Sequence, residues 1–112
     1  MEVIFYEKEN GEIPVKEFLD NLDKKMREKA LGQIAILEEK GRTLREPYSK
    51  YIKDGIFELR IKFSSDITRI FYFFYVEDRA ILTNGFIKKT QKTPTSEIEK
   101  ALKYKADFER RN

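Results

Sequence analysis

The sequence predicts an α+β fold, with an antiparallel sheet core packed against an N-terminal helical hairpin in the order β-α-α-β-β-β-α. Three observations predict it: helical spacing of apolar residues after a short β-prone start, a middle that alternates with period two or runs almost continuously β-branched and aromatic, and a return to helical spacing at the end.

Glu2 to Tyr6 is rich in Val, Ile and aromatics and is closed by the turn-like Glu9-Asn10-Gly11-Glu12, which reads as a first strand. Pro14 suits the first turn of a helix, and Val15, Phe18, Leu19 and Leu22 then recur at i, i+3, i+4 and i+7. Asp23 can cap a second helix, whose stripe of Met26, Ala30, Ile34 and Leu37 runs until Gly41 supplies a stop. So tight a connection makes the two helices an antiparallel hairpin, with both stripes serving the core.

Between Arg42 and Gly55 periodicity disappears. Pro47 breaks helix there, and Arg42, Arg45, Lys50 and Lys53 gather beside Tyr48 and Tyr51, so this stretch reads as a basic, aromatic loop. From Ile56 to Phe63 the chain alternates, with Phe57, Leu59, Ile61 and Phe63 on one face and Glu58, Arg60 and Lys62 on the other. Ser64-Ser65-Asp66 turns it. Ile67 to Val76 is nearly all β-branched or aromatic and reads as a central strand covered on both faces, in which Arg69 is the odd residue. After Glu77-Asp78-Arg79, Ala80 to Ile87 is a fourth strand leading into the basic loop of residues 88–93. A last helix starts either with Thr93 as cap and Pro94 after it or with Ser96 and Glu99 as a capping box; Ile98, Ala101, Leu102 and Phe108 share its face.

At 112 residues, without repeats, low-complexity tracts or linkers, the chain is expected to form one domain over residues 1–112. No apolar run approaches the roughly 18 to 20 residues that span a bilayer, and the start lacks the pattern of a signal peptide, so the expectation is a cytoplasmic protein without a membrane partner. The absence of cysteine and histidine removes disulfides, thiolate nucleophiles, the usual zinc sites and the usual neutral-pH general base. Chemistry then falls to Lys, Arg, Tyr, Asp or Glu, and nothing calls for a metal or another cofactor.

The formal charge of +3 hides an asymmetry. Residues 1–41 carry seven Lys/Arg against ten Asp/Glu, whereas residues 42–112 carry sixteen against ten. A basic second half suits a phosphate-binding face, although such a run is more often a solvated surface.

If Ser64 and Ser65 are the two loop residues of a hairpin, Arg60 stands directly opposite Arg69, both facing away from Phe57, Leu59 and Ile61. Like charges across a hairpin are unfavourable for folding, and a bound polyanion would offset them. The alternative is pairing of Arg60 with Glu58 or Asp66 and of Arg69 with a nearby acid. Lys88, Lys89 and Lys92 follow the fourth strand just before a helix N-terminus, where unpaired N–H groups also favour anions. Tyr48, Tyr51 and Tyr72 could stack on the bases of single-stranded RNA, or simply fill the edge of the core.

Pro47-Tyr48-Ser49-Lys50, Gly55-Ile56-Phe57-Glu58-Leu59-Arg60, Thr68-Arg69-Ile70-Phe71-Tyr72 and residues 86–94 follow one another as in HigB-like toxins, the phage-derived branch of the RelE/ParE toxin superfamily that the chain resembles over nearly its whole length. The Glu-Leu-Arg strand and the Phe-x-Lys-Lys-x-x-Lys-Thr-Pro segment are the specific parts. The resemblance implies a RelE-like fold and a toxin of a type II toxin–antitoxin system. Such a toxin cleaves messenger RNA on the ribosome without metal and is neutralised by an antitoxin, commonly of the helix-turn-helix, HigA-like kind.

By position, Arg60 and Arg69 resemble the arginines that hold the scissile phosphate, and Lys50 a basic residue that contacts RNA and assists catalysis. Lys88, Lys89 and Lys92 resemble the basic segment near the active face, with Lys53, Tyr51 and Tyr72 as further RNA contacts. For the proton transfers Lys88, Lys50, Tyr72 or Glu58 would have to serve. The competing functions are a ParE-like gyrase inhibitor on the same fold, and a non-catalytic nucleic-acid-binding module or decayed phage remnant.

Overall fold

A computed structural model describes residues 1–88 and 92–112. In chain order it holds strand β1 (Glu2–Phe5), helices α1 (Pro14–Asp20) and α2 (Lys24–Lys40), and a 3-10 turn (Gly41–Thr43). Strands β2 (Ser49–Lys53), β3 (Ile56–Phe63), β4 (Asp66–Tyr75) and β5 (Arg79–Lys88) and helix α3 (Thr95–Arg111) follow. The five strands make one sheet in the order β1-β5-β4-β3-β2. The α+β class holds, with two corrections. The sheet is mixed, since β1 runs parallel to β5, and the expected loop of residues 42–55 contains the edge strand β2.

Strand β2 escaped the pattern because Ser49, Lys50 and Lys53 give it no apolar alternation. Its turn was legible, however. Asp54 (φ 49°) and Gly55 (φ 85°) both take the left-handed region, as a two-residue hairpin turn that matches strand twist demands. The same device closes β3 onto β4, where Phe63 pairs with Asp66 across Ser64-Ser65 and Ser64 carries φ 59°.

The helical hairpin forms as expected. Asp23 Oδ1 accepts the Met26 N–H at 2.9 Å, and Gly41 ends α2 with φ 54°. Arg27 also reaches back from α2 to donate to the carbonyls of Leu19, Asp20 and Leu22, which ties the start of α2 to the end of α1 and the connection between them. Both helices cover one face of the sheet, where Val15, Leu19, Met26, Ala30, Ile34 and Leu37 pack with Leu59, Ile61, Ile70, Tyr72 and Leu82.

Helix α3 covers only part of the opposite face. Ile98, Ala101, Leu102, Tyr104 and Phe108 pack there with Ile56, Phe71, Phe73, Ile81 and Phe86. A register shift in β5 beside Phe71 lets Asn84 donate to both the carbonyl and the carboxylate of Glu97, which fixes the start of α3. At its other end Tyr6 donates to Asp107 Oδ2 at 2.5 Å, and Arg111 donates to the same oxygen. Burial and the Asp107 carboxylate push the Tyr6 phenol up to about 12, while hydrogen bonds from Tyr6, Arg111 and Arg110 hold Asp107 well below the usual carboxylate range. Neither expected cap is used at the start of α3: its N-cap is Pro94, without a side-chain hydrogen bond, and Thr93 turns its hydroxyl to Glu58 instead. Among the described residues no helix is long and apolar enough to cross a membrane.

Candidate phosphate-binding site

Because Ser64 and Ser65 are the hairpin loop, Arg60 stands opposite Arg69, as the register argument requires. Side chains alternate across a strand, so Glu58 and Arg60 on β3 and Arg69 and Phe71 on β4 share a face. The same pairing sets Lys50 of β2 opposite Glu58, and Lys88 of β5 beside Ile67, two residues from Arg69. Four cations from four neighbouring strands thus gather on the part of the face that α3 leaves open.

A carboxylate lies at their centre. Glu58 is fully buried, and its Oε1 lies 3.4 Å from the Nε of both Arg60 and Arg69. Its Oε2 accepts the Thr93 hydroxyl at 3.2 Å, and Lys88 Nζ lies 3.3 Å from that same hydroxyl oxygen. One acid therefore ties β3, β4, the end of β5 and the approach to α3 together.

This arrangement changes the account of the arginine pair. Folding tolerates two guanidinium groups across one hairpin because a buried carboxylate stands between them, so no bound polyanion is needed to explain them. The pairing with Glu58 that sequence reasoning held open as the alternative is real for Arg60, and Glu58 is the nearby acid for Arg69 as well. It is compatible with phosphate binding, because the contact to each arginine runs through Nε. Among the described residues the Nη groups of both make no hydrogen bond to protein. Arg69 Nε, although within ion-pair range of Glu58, is outside hydrogen-bonding geometry, which leaves a buried donor unsatisfied on a side chain 7% exposed.

The electrostatics follow from burial and crowding. Burial lowers the pKa of the Arg69 guanidinium, Glu58 opposes that shift and Arg60 adds to it. Lys88 is lowered too, first by burial and then by Arg69, Arg60 and Lys50, with Glu58 pulling the other way. An ammonium so placed gives up its proton more readily than an ordinary lysine, while a guanidinium stays charged at any physiological pH.

The remaining candidates fall into three groups. Tyr72 is 1% exposed, on the helical-hairpin face, with its hydroxyl hydrogen-bonded to Ser49; burial pushes that phenol up. It cannot stack on a base from there. Tyr51 is well exposed but lies edge-on to Phe57 on that same face and accepts the Gly55 N–H, so it too is separated from the arginine pair by the sheet. Lys53 is exposed at the turn end of β2, past a bulge that separates it from Lys50. Lys92 is exposed just before Thr93, and Lys89 lies outside the described residues. Sequence reasoning missed two members of the site: Glu58 as the shared partner of both arginines, although its i+2 spacing to Arg60 put the two on one face, and Thr93, which carried no signal beyond a cap residue.

Chemically, the site offers a fixed pair of planar cations at one open edge of α3, with two lysines beside them. Paired guanidiniums can bind the oxygens of a phosphate group in their planes and can stabilise the extra charge of a pentacoordinate phosphorus. No curated protein matches the chain. A family model described as phage derived protein Gp49-like (DUF891) matches residues 17–106, a span from α1 into α3 that includes every residue of the site. The chain belongs to this phage-derived, toxin-like Gp49-like family.

Proposed function

We propose that the chain is the HigB-like toxin of a type II toxin–antitoxin system and cleaves messenger RNA without metal on the translating ribosome. The observation that carries this reading is the opposition of Arg60 and Arg69 on the open half of the sheet, each held through Nε by buried Glu58. In that role Arg60 and Arg69 grip the scissile phosphate and stabilise its transition-state charge, and Lys50 contributes a further charge to the RNA backbone. Lys88 is the group best placed to exchange a proton with the 2′-OH or the 5′-oxygen, since its crowded, partly buried setting lowers its pKa. The rest of the alignment for in-line attack comes from the ribosome. Covering the four cations is the task of an antitoxin, expected to be a helix-turn-helix protein that offers carboxylates to this face.

The test is induction in bacteria without antitoxin, with new 5′ ends mapped across transcripts, beside Arg60→Ala at equal protein level. Arg60 is the more exposed of the two arginines, so its loss disturbs folding less. New ends inside translated regions with the wild type alone support the nuclease. Growth arrest without new ends sinks it in favour of gyrase inhibition, and neither effect leaves a binding module or remnant.

Lys88 supplies a pH test. A lysine acting as base must be neutral, so cleavage should rise with pH and level off at a midpoint below the ordinary lysine value of about 10.4. Lys88→Arg keeps the charge and removes the titration, so the inflection should vanish and the rate fall by about 10²-fold. An unchanged profile in Lys88→Arg excludes Lys88 from the proton transfer.

A further inference from the structure

On the other side of β3, remote from the four cations' open face, the sheet edge is incomplete. Strand β2 pairs with β3 only as far as Leu59, and the Arg60 N–H then donates to the Tyr48 carbonyl at 2.8 Å. In an antiparallel ladder the backbone groups of alternate residues point to the same side, so the N–H and C=O of Lys62 are directed outward, beyond the end of β2. No strand follows there among the described residues. The carbonyl of Arg60 has a substitute partner: Gln33 of α2 reaches it with Nε2 at 3.4 Å, while Gln33 Oε1 is buried without any hydrogen bond.

This edge is one wall of a groove of about 1170 Å³ whose other wall is α2. Ile36, Leu44 and Phe63 give it an apolar lining, and Lys25, Lys29, Lys40, Arg45 and Lys62 stand around it. Gly32 sits in the middle of α2 facing the groove, and a Cβ built there would meet nothing within 4 Å. Glycine within a helix costs roughly 0.5–1 kcal/mol relative to alanine, and here no internal contact requires it.

We infer that this groove is a docking site for an extended peptide segment of a partner protein, one that adds as a strand to the free edge of β3. The free backbone groups of Lys62, the carbonyl of Arg60 and the orphaned Gln33 oxygen give the hydrogen-bonding pattern that an incoming strand satisfies. Period-two alternation sends one set of its side chains onto Ile36, Phe63 and the open space at Gly32. The surrounding lysines and Arg45 select carboxylates along it. Glu28, Glu39 and Glu46, which interrupt that basic rim, disfavour a nucleic-acid backbone in the same place. The inference does not rest on the nuclease reading, because it concerns the opposite wall of β3.

The experiment is selection of a displayed library of random nonapeptides on the full chain, beside Gly32→Phe and Lys62→Pro. Gly32→Phe fills the groove from a position with free space around it. Lys62→Pro removes an outward N–H at a sheet edge, where proline is tolerated. Thermal melts of both variants confirm that they fold. The wild type should enrich peptides in which acidic and apolar residues alternate with period two, and each substitution should weaken their binding by about tenfold or more. Enrichment with helical spacing, no enriched family, or binding indifferent to Gly32→Phe each overturns the inference. Loss of oligouridylate binding in Gly32→Phe would assign the groove to RNA, and loss of a wild-type dimer on light scattering would assign it to a second copy of the chain.

Discussion

Replacing Arg69 by alanine is expected to destabilise the fold by about 3 kcal/mol and to lower the proposed RNA cleavage by about 10²–10³-fold, two losses with one cause. Glu58 is fully buried, and Arg69, itself 5% exposed, is the more deeply placed of its two cationic partners. Without that guanidinium the carboxylate keeps only Arg60, which is partly open to water, and the Thr93 hydroxyl. Most of the cost is therefore the burial of an under-compensated charge rather than a lost contact. The thermal midpoint should fall by roughly 10 °C. A double-mutant cycle separates this from any general weakening of the hairpin. Glu58→Gln removes the charge that Arg69 compensates, so the double variant should recover about 1–2 kcal/mol of what the single arginine change loses. Additive losses would mean that the carboxylate and the guanidinium are not coupled. The proposed cleavage should not return in the double variant, because a bound phosphate would still lack one of the two planar cations.

Gly85→Ala should cost about 2–3 kcal/mol for a single added methyl group. Gly85 lies on β5 opposite Ile70, and the Phe18 ring of α1 lies against it. A Cβ at this position would come within 2.4 Å of Phe18 Cδ2 and 2.6 Å of Cε2, distances that no real contact reaches. Relief requires α1, a short helix held by Arg27 and by this contact, to move off the sheet. Adding Gly85→Ala to Phe18→Ala should then change stability by less than about 0.5 kcal/mol, since the obstructing ring is gone. Denaturant unfolding of the four proteins measures this. A penalty as large in the Phe18→Ala background as in the wild type would place the strain in the β5 backbone instead. The candidate site lies on the opposite face, so Gly85→Ala should leave the proposed RNA cleavage unchanged at any temperature where it stays folded.

Much of the molecule was legible in the order of residues alone, because the strongest signals are local. Helical spacing around Val15 and Leu19, the Asp23 cap, the Gly41 stop and the two-serine loop at residues 64–65 depend only on near neighbours, and each appears as read. The serine loop mattered most. A two-residue turn sets the register, and the register alone brings Arg60 opposite Arg69. The edge strand β2 was hidden because a strand with one side open to water need not alternate visibly. Its Asp54-Gly55 turn was nevertheless a hairpin signal in plain view.

What only the tertiary structure decided concerns partners distant in sequence. That β1 joins the sheet in parallel beside β5 follows from packing across the whole chain, which no local pattern carries. Tyr72 reads as an exposed stacking candidate in a motif, yet the sheet turns it inward onto Ser49. Glu58 and Thr93 are separated by the entire β4–β5 hairpin, so nothing in the sequence announces their hydrogen bond, and the i+2 spacing of Glu58 to Arg60 does not by itself show that one carboxylate serves both arginines. By itself the sequence determined every α-helix and every strand but β2, the register of the β3–β4 hairpin and the basic character of the face that α3 leaves uncovered. The fold decided which cations converge, because burial and charge compensation are properties of surroundings that only the assembled sheet and helices create.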